Sequence, residues 1–144
     1  MDGLKMLEQD HDRVKELMGH IEEGADDERE QLFAVLVDEL RIHETIEEEV
    51  LYPTLKEHPR TEEITLEGFE EHHVVDVVIG ELDNVAYDDE RWGAKFTVMK
   101  ENLEHHIGEE EDEMFPQARE VLDEDELEDL GARMETRKQE LEAA

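Results

Sequence analysis

Four stretches of the chain carry apolar residues at three-and-four spacing, and in each a histidine stands in the stripe without breaking its step. The first reads Leu4, Leu7, His11, Val14, Met18, and the second Phe33, Leu36, Leu40, His43, Glu47, Val50. The third reads Phe69, His72, Val75, Ile79, Leu82, and the fourth Phe96, Met99, Leu103, His106, Glu110, Met114. That period belongs to helices that bury one face. Three prolines, eight glycines and few β-branched runs leave little room for sheet. The stripes predict helices over about 2–23, 28–55, 65–86 and 90–115. Breaks fall at 24–27, at His58-Pro59 and at Asp88-Asp89. A last amphipathic helix over about 125–141 carries Leu127, Leu130, Met134 and Leu141, with Gly131 an unfavourable residue inside it.

Helices of this length joined by short loops must run antiparallel to their neighbours. The expected fold is therefore all-α: an antiparallel up-and-down four-helix bundle made of two helix hairpins in a pseudo-twofold repeat, with a short C-terminal helix. Residues 1–120 form the bundle, and 121–144 form a helix that lies on it or at an interface. Counting from the turn near residue 26, His11 is 15 positions back and His43 is 17 forward. From the turn near residue 88, His72 is 16 back and His106 is 18 forward. At about 1.5 Å per residue all four fall in one layer of the core. Four imidazoles at one level make a metal site.

The second and fourth helices repeat a longer pattern, LRIHETIEEEVLYP over 40–53 and LEHHIGEEEDEMFP over 103–116. His43 and Glu47 match His106 and Glu110, each pair at i and i+4 on one face. Buried glutamates need partners, so two on the inner stripes call for bound cations. Asp10-His11 and Glu71-His72 supply the matching half of the repeat on the first and third helices.

With 14 Lys plus Arg against 46 Asp plus Glu, the net charge is −32. That field repels phosphate backbones and anionic lipids, so neither nucleic acid nor membrane is an expected partner. No apolar run approaches the roughly 20 residues of a membrane span, and the first residues do not read as a signal peptide. The absence of cysteine excludes disulfides, thiolate metal sites, iron–sulfur clusters and thiol nucleophiles. A cytoplasmic protein is the expectation, and the acidic surplus would suit a salt-rich cytosol.

His-x-x-x-Glu-Glu ahead of Leu-Tyr-Pro, echoed ahead of Met-Phe-Pro, resembles the hemerythrin-like family of HHE cation-binding domains over about residues 4–119. The resemblance implies two non-haem Fe ions per chain, with an oxo or hydroxo bridge. His11, His43, His72 and His106 would be terminal ligands, and Glu47 and Glu110 would bridge. Manganese or zinc would also suit these donors. Oxygen-carrying members have a fifth histidine four residues after the one matching His72; here that residue is Asp76. Asp76 and Glu44 are reserve ligands, more readily read as surface or supporting residues. Four nitrogens, four bridging oxygens and a shared solvent bridge fill about ten of twelve octahedral positions, leaving about two open.

The implied function is to bind or react with a small oxidant such as dioxygen, peroxide or nitric oxide, for sensing, scavenging or detoxification. Binding or sensing is favoured over catalysis, and no catalytic residue is singled out. The competing readings are a ferritin-like diiron oxidase using Glu8-x-x-His11 and Glu70-x-x-His73, and a metal-free acidic interaction module. Monomer and homodimer both remain open. His20, His58, His73 and His105 leave the stripes and are expected to face solvent, as are the acidic runs at 48–49 and 109–113. Tyr52 and Phe115 are expected to close the end of the core.

Overall fold

The computed structural model describes all 144 residues, Asp26 by its backbone alone. Helix α1 is Gly3–Glu23, started by Asp2, whose side chain accepts from the Leu4 and Lys5 amides. Helix α2 runs as Asp26–Ile46, passes through a π-helical turn at Glu47–Leu51 and ends as Tyr52–Lys56. Helix α3 is Glu62–Leu82. Helix α4 repeats the form of α2: Glu90–Glu109, a π turn at Glu110–Met114, then Phe115–Val121. Helix α5 is Glu124–Ala143, begun by a capping box between Asp123 and Glu126. No described residue is in a strand, and no helix among them is long and apolar enough to cross a membrane.

The first four helices form the bundle, and α5 lies against α1 and α2. Three boundaries differ from the sequence expectation. Helix α3 starts at Glu62 and stops at Leu82, where Asn84 and Val85 close tighter turns on Glu81 and Leu82; Asp83 and Asn84 favour such turns. Helix α4 continues past Pro116. At 24–27 the cap of α2 is Ala25, with no side-chain bond. Any capping by the Asp26 side chain lies outside the described residues.

The π turns explain how both helices survive a proline. Proline has no N–H and its ring collides with the carbonyl four residues back. In α2 the Tyr52 amide bonds Glu47, five residues back, and in α4 the Phe115 amide bonds Glu110. The widened turn relieves the collision one residue later, at Pro53 and Pro116. It also re-aims the aromatics. In a regular helix a residue five positions on lies about 140° around the axis; the extra residue in the turn swings Tyr52 and Phe115 back toward the glutamate face.

The core falls into two apolar clusters. One gathers Val14, Leu17, Phe33, Leu36, Trp92 and Phe96 with their neighbours. The other gathers Leu4, Leu7, Ile46, Leu51, Tyr52 and Phe115 with Leu127, Leu130 and Met134 of α5. Gly131 is the crossing point of α5 over the chain start: a Cβ there would collide with the Met1 carbonyl and lie 3.1 Å from the Gly3 nitrogen. Gly131→Ala is expected to push α5 outward and cost about 1–3 kcal/mol in denaturant unfolding. An unchanged midpoint would mean the helix does not rest on that contact.

Candidate metal centre

Between the two clusters lies a layer of polar side chains from four helices. His11, His43, His72 and His106 are all buried, and Glu47 and Glu110 are fully so. Glu47 Oε1 lies 3.1 Å from Nε2 of His43 and 3.1 Å from Nε2 of His72. Glu110 Oε1 lies 3.1 Å from Nε2 of His11 and 3.4 Å from Nε2 of His106. Each carboxylate thus joins a histidine one turn back on its own helix to one from a neighbouring helix. The rings pair as His11 with His43, centroids 5.0 Å apart, and His72 with His106, 4.7 Å apart. Two groups able to hold a cation result: His11, His43, Glu47 and Glu110, and Glu47, His72 and His106. All six residues drawn from the stripes meet here.

The outward ring nitrogens are held by four carboxylates. His43 Nδ1 lies 3.1 Å from Asp10, and His106 Nδ1 lies 2.8 Å from Glu71. His11 Nδ1 lies 2.7 Å from Glu111, and His72 Nδ1 lies 2.9 Å from Glu48. A carboxylate on one nitrogen fixes the ring and presents the other to a cation as a lone pair. Glu48 and Glu111 are therefore working partners rather than purely solvated residues. Asp10 in turn receives Lys138 of α5 at 3.3 Å.

The aromatic lids match the twofold repeat but differ in chemistry. Phe115 stacks on His11 at 6.0 Å and Tyr52 on His72 at 5.4 Å. The Tyr52 hydroxyl donates to Glu110 Oε2 at 2.7 Å. Gly68 makes room for it, since a Cβ there would lie 2.8 Å from the hydroxyl oxygen. The matching residue on α1 is Leu7, which shares an apolar cluster with Phe115, a ring with no hydroxyl.

Without a cation the layer is unsettled. Burial disfavours a charged imidazole, yet Glu47 and Asp10 hold His43 well above the usual histidine range. Burial likewise opposes His72, and Glu47 still lifts it to about 10. Burial and the Glu47 charge push Glu110 up, while Glu47 itself, despite its burial, is held well down by His43 and its other partners. Glu47 Oε2 and His106 Nε2 are buried with no hydrogen-bond partner. Unsatisfied buried polar atoms are costly, and these two point into the layer that cations would fill. The donor set of imidazole nitrogens and carboxylate oxygens suits iron, manganese or zinc.

This protonation has a measurable consequence. His43 and His72 sit above neutral pH in the metal-free layer, so their rings carry protons that a cation must displace. Cation binding at pH 7 is expected to release about one proton from each, and affinity should fall as pH falls. A pH-stat titration with Co(II) counts the protons; no release would mean neutral rings.

Other sequence candidates lie outside the layer. His20, His73 and His105 are exposed, as expected, whereas His58 is half-buried. Glu70 and His73 both face solvent, which removes one of the two Glu-x-x-His pairs of the ferritin-like reading. Asp76 is exposed. Glu44 is only 7% exposed, which leaves the supporting role of the two readings given for it, not the surface one. Burial, with the charges of Asp76 and Glu47, pushes its carboxyl up to about 9, although His72 draws it down.

The sequence matches the family described as the hemerythrin HHE cation binding domain over residues 2–118. The chain belongs to that family. A hemerythrin HHE cation binding domain-containing protein from Mycobacterium kansasii is similar in structure, with a TM-score of 0.89 and 29% identity. The match covers 98% of this chain and 87% of that one, so it takes in α5 as well as the bundle. No curated protein matches the sequence. This HHE chain is a cation-binding bundle.

Proposed function

We propose that this HHE protein holds two iron ions and uses them to bind or react with a small oxidant, dioxygen, peroxide or nitric oxide, in sensing, scavenging or detoxification. His11 and His43 would hold one ion, His72 and His106 the other, with Glu47 and Glu110 spanning both. The observation that carries the reading is a cavity of about 10 Å³ among the four imidazoles, Glu44 and the apolar side chains of Val14, Leu40, Leu103 and Ile107. That is room for about one water-sized molecule. A diatomic ligand fits such a space and an organic substrate does not. Its apolar wall favours an uncharged guest over a hydrated ion.

Bound iron supplies open coordination positions and the electrons for reducing an oxidant. The chain supplies the rest. The Asp10, Glu48, Glu71 and Glu111 carboxylates keep the rings aimed inward. Burial and the charges of Glu47 and Glu110 raise Tyr52 well above the usual tyrosine range, so its hydroxyl keeps its proton and remains a donor at neutral pH.

The test is iron content together with visible absorption of the purified protein, reduced and then exposed to air. About two irons per chain and a band that appears in air support the reading; reversal on deoxygenation marks a carrier or sensor, and irreversible oxidation marks peroxide or oxidase chemistry. A reconstituted chain that takes no iron would overturn it.

A further inference from the structure

A cleft of about 500 Å³ opens between α2 and α3. Glu44, Glu48, Asp76 and Asp83 line it, together with Glu49, which is tied to Arg137, and with one base, Arg41. Glu44 stands at its inner end. It lines both this cleft and the cavity among the histidines, and it is the one carboxyl side chain common to the two. Its Oε1 is buried and has no hydrogen-bond partner. Ligand atoms of Glu44, Glu48 and His72 lie within 4.8 Å of one another.

We propose that this cleft is the port by which divalent cations reach the centre, and that Glu44, Glu48 and Asp76 form an outer cation site along it. Asp76 stands exposed on the cleft wall, Glu48 holds His72, and Glu44 opens onto the histidine layer. A path lined by carboxylates concentrates cations and speeds their arrival. Oxygen-only ligands hold transition metals less tightly than the nitrogen-rich layer beyond, so transfer runs inward.

Two comparisons within the molecule favour this seam. The twofold repeat places Ile107 where Glu44 stands and Lys15 where Asp76 stands, and Ile107 is buried among apolar neighbours. The opposite seam therefore lacks the inner carboxylate, and a lysine stands at its mouth where Asp76 stands here. A second cleft, of about 320 Å³, reaches His43 between α1, α2 and α5. Its acids Asp10 and Glu39 are paired with Lys138 and Arg13, which leaves it far less negative than the cleft at Glu44.

The inference concerns how cations arrive and stands apart from what the loaded centre binds. Metal-free protein is mixed with Co(II) in a stopped-flow instrument, and uptake is followed by Co(II) absorption. Glu44→Gln is expected to slow uptake about tenfold and Asp76→Asn about threefold, with two ions still bound at saturation. Asp112→Asn, on the opposite seam, should keep the wild-type rate. The surface variant Asp76→Asn keeps the test valid if Glu44→Gln folds poorly. Mn(II) diffracted anomalously from crystals should also place an ion at Glu44 and Glu48. Unchanged rates in both variants, or fewer than two ions held by Glu44→Gln, would overturn the port. Failure of the wild type to take up Co(II) would overturn the metal centre along with it.

Discussion

Glu47→Gln is expected to weaken equilibrium cation binding by about 10²–10³-fold, while Glu49→Gln leaves it unchanged. Glutamine keeps the volume of the side chain, so the variant removes charge and little else. Glu47 faces His43 and His72 with one oxygen and leaves the other unpartnered. Removing one member of a buried charged pair costs about 3–5 kcal/mol, and the lower part of that span, about 3–4 kcal/mol, is the stated range in affinity. Glu49, two residues on, is exposed and bonds Arg137. Co(II) titration against a competing chelator compares the two. Equal effects would mean that the helix register places the wrong glutamate inside.

Stripping the cations with a chelator is expected to lower the melting temperature by about 15–30 °C. A ligand present at about 1,000 times its Kd adds about 4 kcal/mol to the native state, so two ions add about 8. For a domain of this size each kcal/mol moves the midpoint by about 2–4 °C. Calorimetry before and after chelation reads the shift directly. A midpoint that does not move would favour the metal-free interaction module, because a bundle that gains nothing from cations has no thermodynamic use for this layer.

The bundle and its six inner residues were legible because a helix period tests every position for which way it faces. A histidine that keeps the step of an apolar stripe is placed in the core by arithmetic alone. The ring of supporting carboxylates was not legible in the same way. Asp10, Glu48, Glu71 and Glu111 each sit about 100° from the stripe of their own helix, where an acidic residue reads as solvated. Their partners are on neighbouring helices, and a single-helix period carries no information about neighbours. The repeat did hold a signal: acid precedes His11 and His72, and acid follows Glu47 and Glu110. The π turns left their mark in Tyr52-Pro53 and Phe115-Pro116, since a proline deep in a helical pattern demands a local accommodation. Whether Glu44 lies at the surface or supports the layer stayed open in the sequence, because Asp76, its neighbour across the cleft, belongs to another helix.

The polar layer also divides the labour of folding. An apolar core normally makes a bundle one cooperative unit, but here two apolar clusters meet across a plane of imidazoles and carboxylates, in which Glu47 repels Glu110 while His11 and His106 attract it. Such a plane couples the two clusters less than a continuous apolar core would, so the metal-free chain is expected to exchange its amide hydrogens as two units. The half that holds the chain start has α5 to complete it, through Leu127, Leu130 and Met134. Cations held in that plane would cross-link helices of both hairpins, and the two units are then expected to exchange as one.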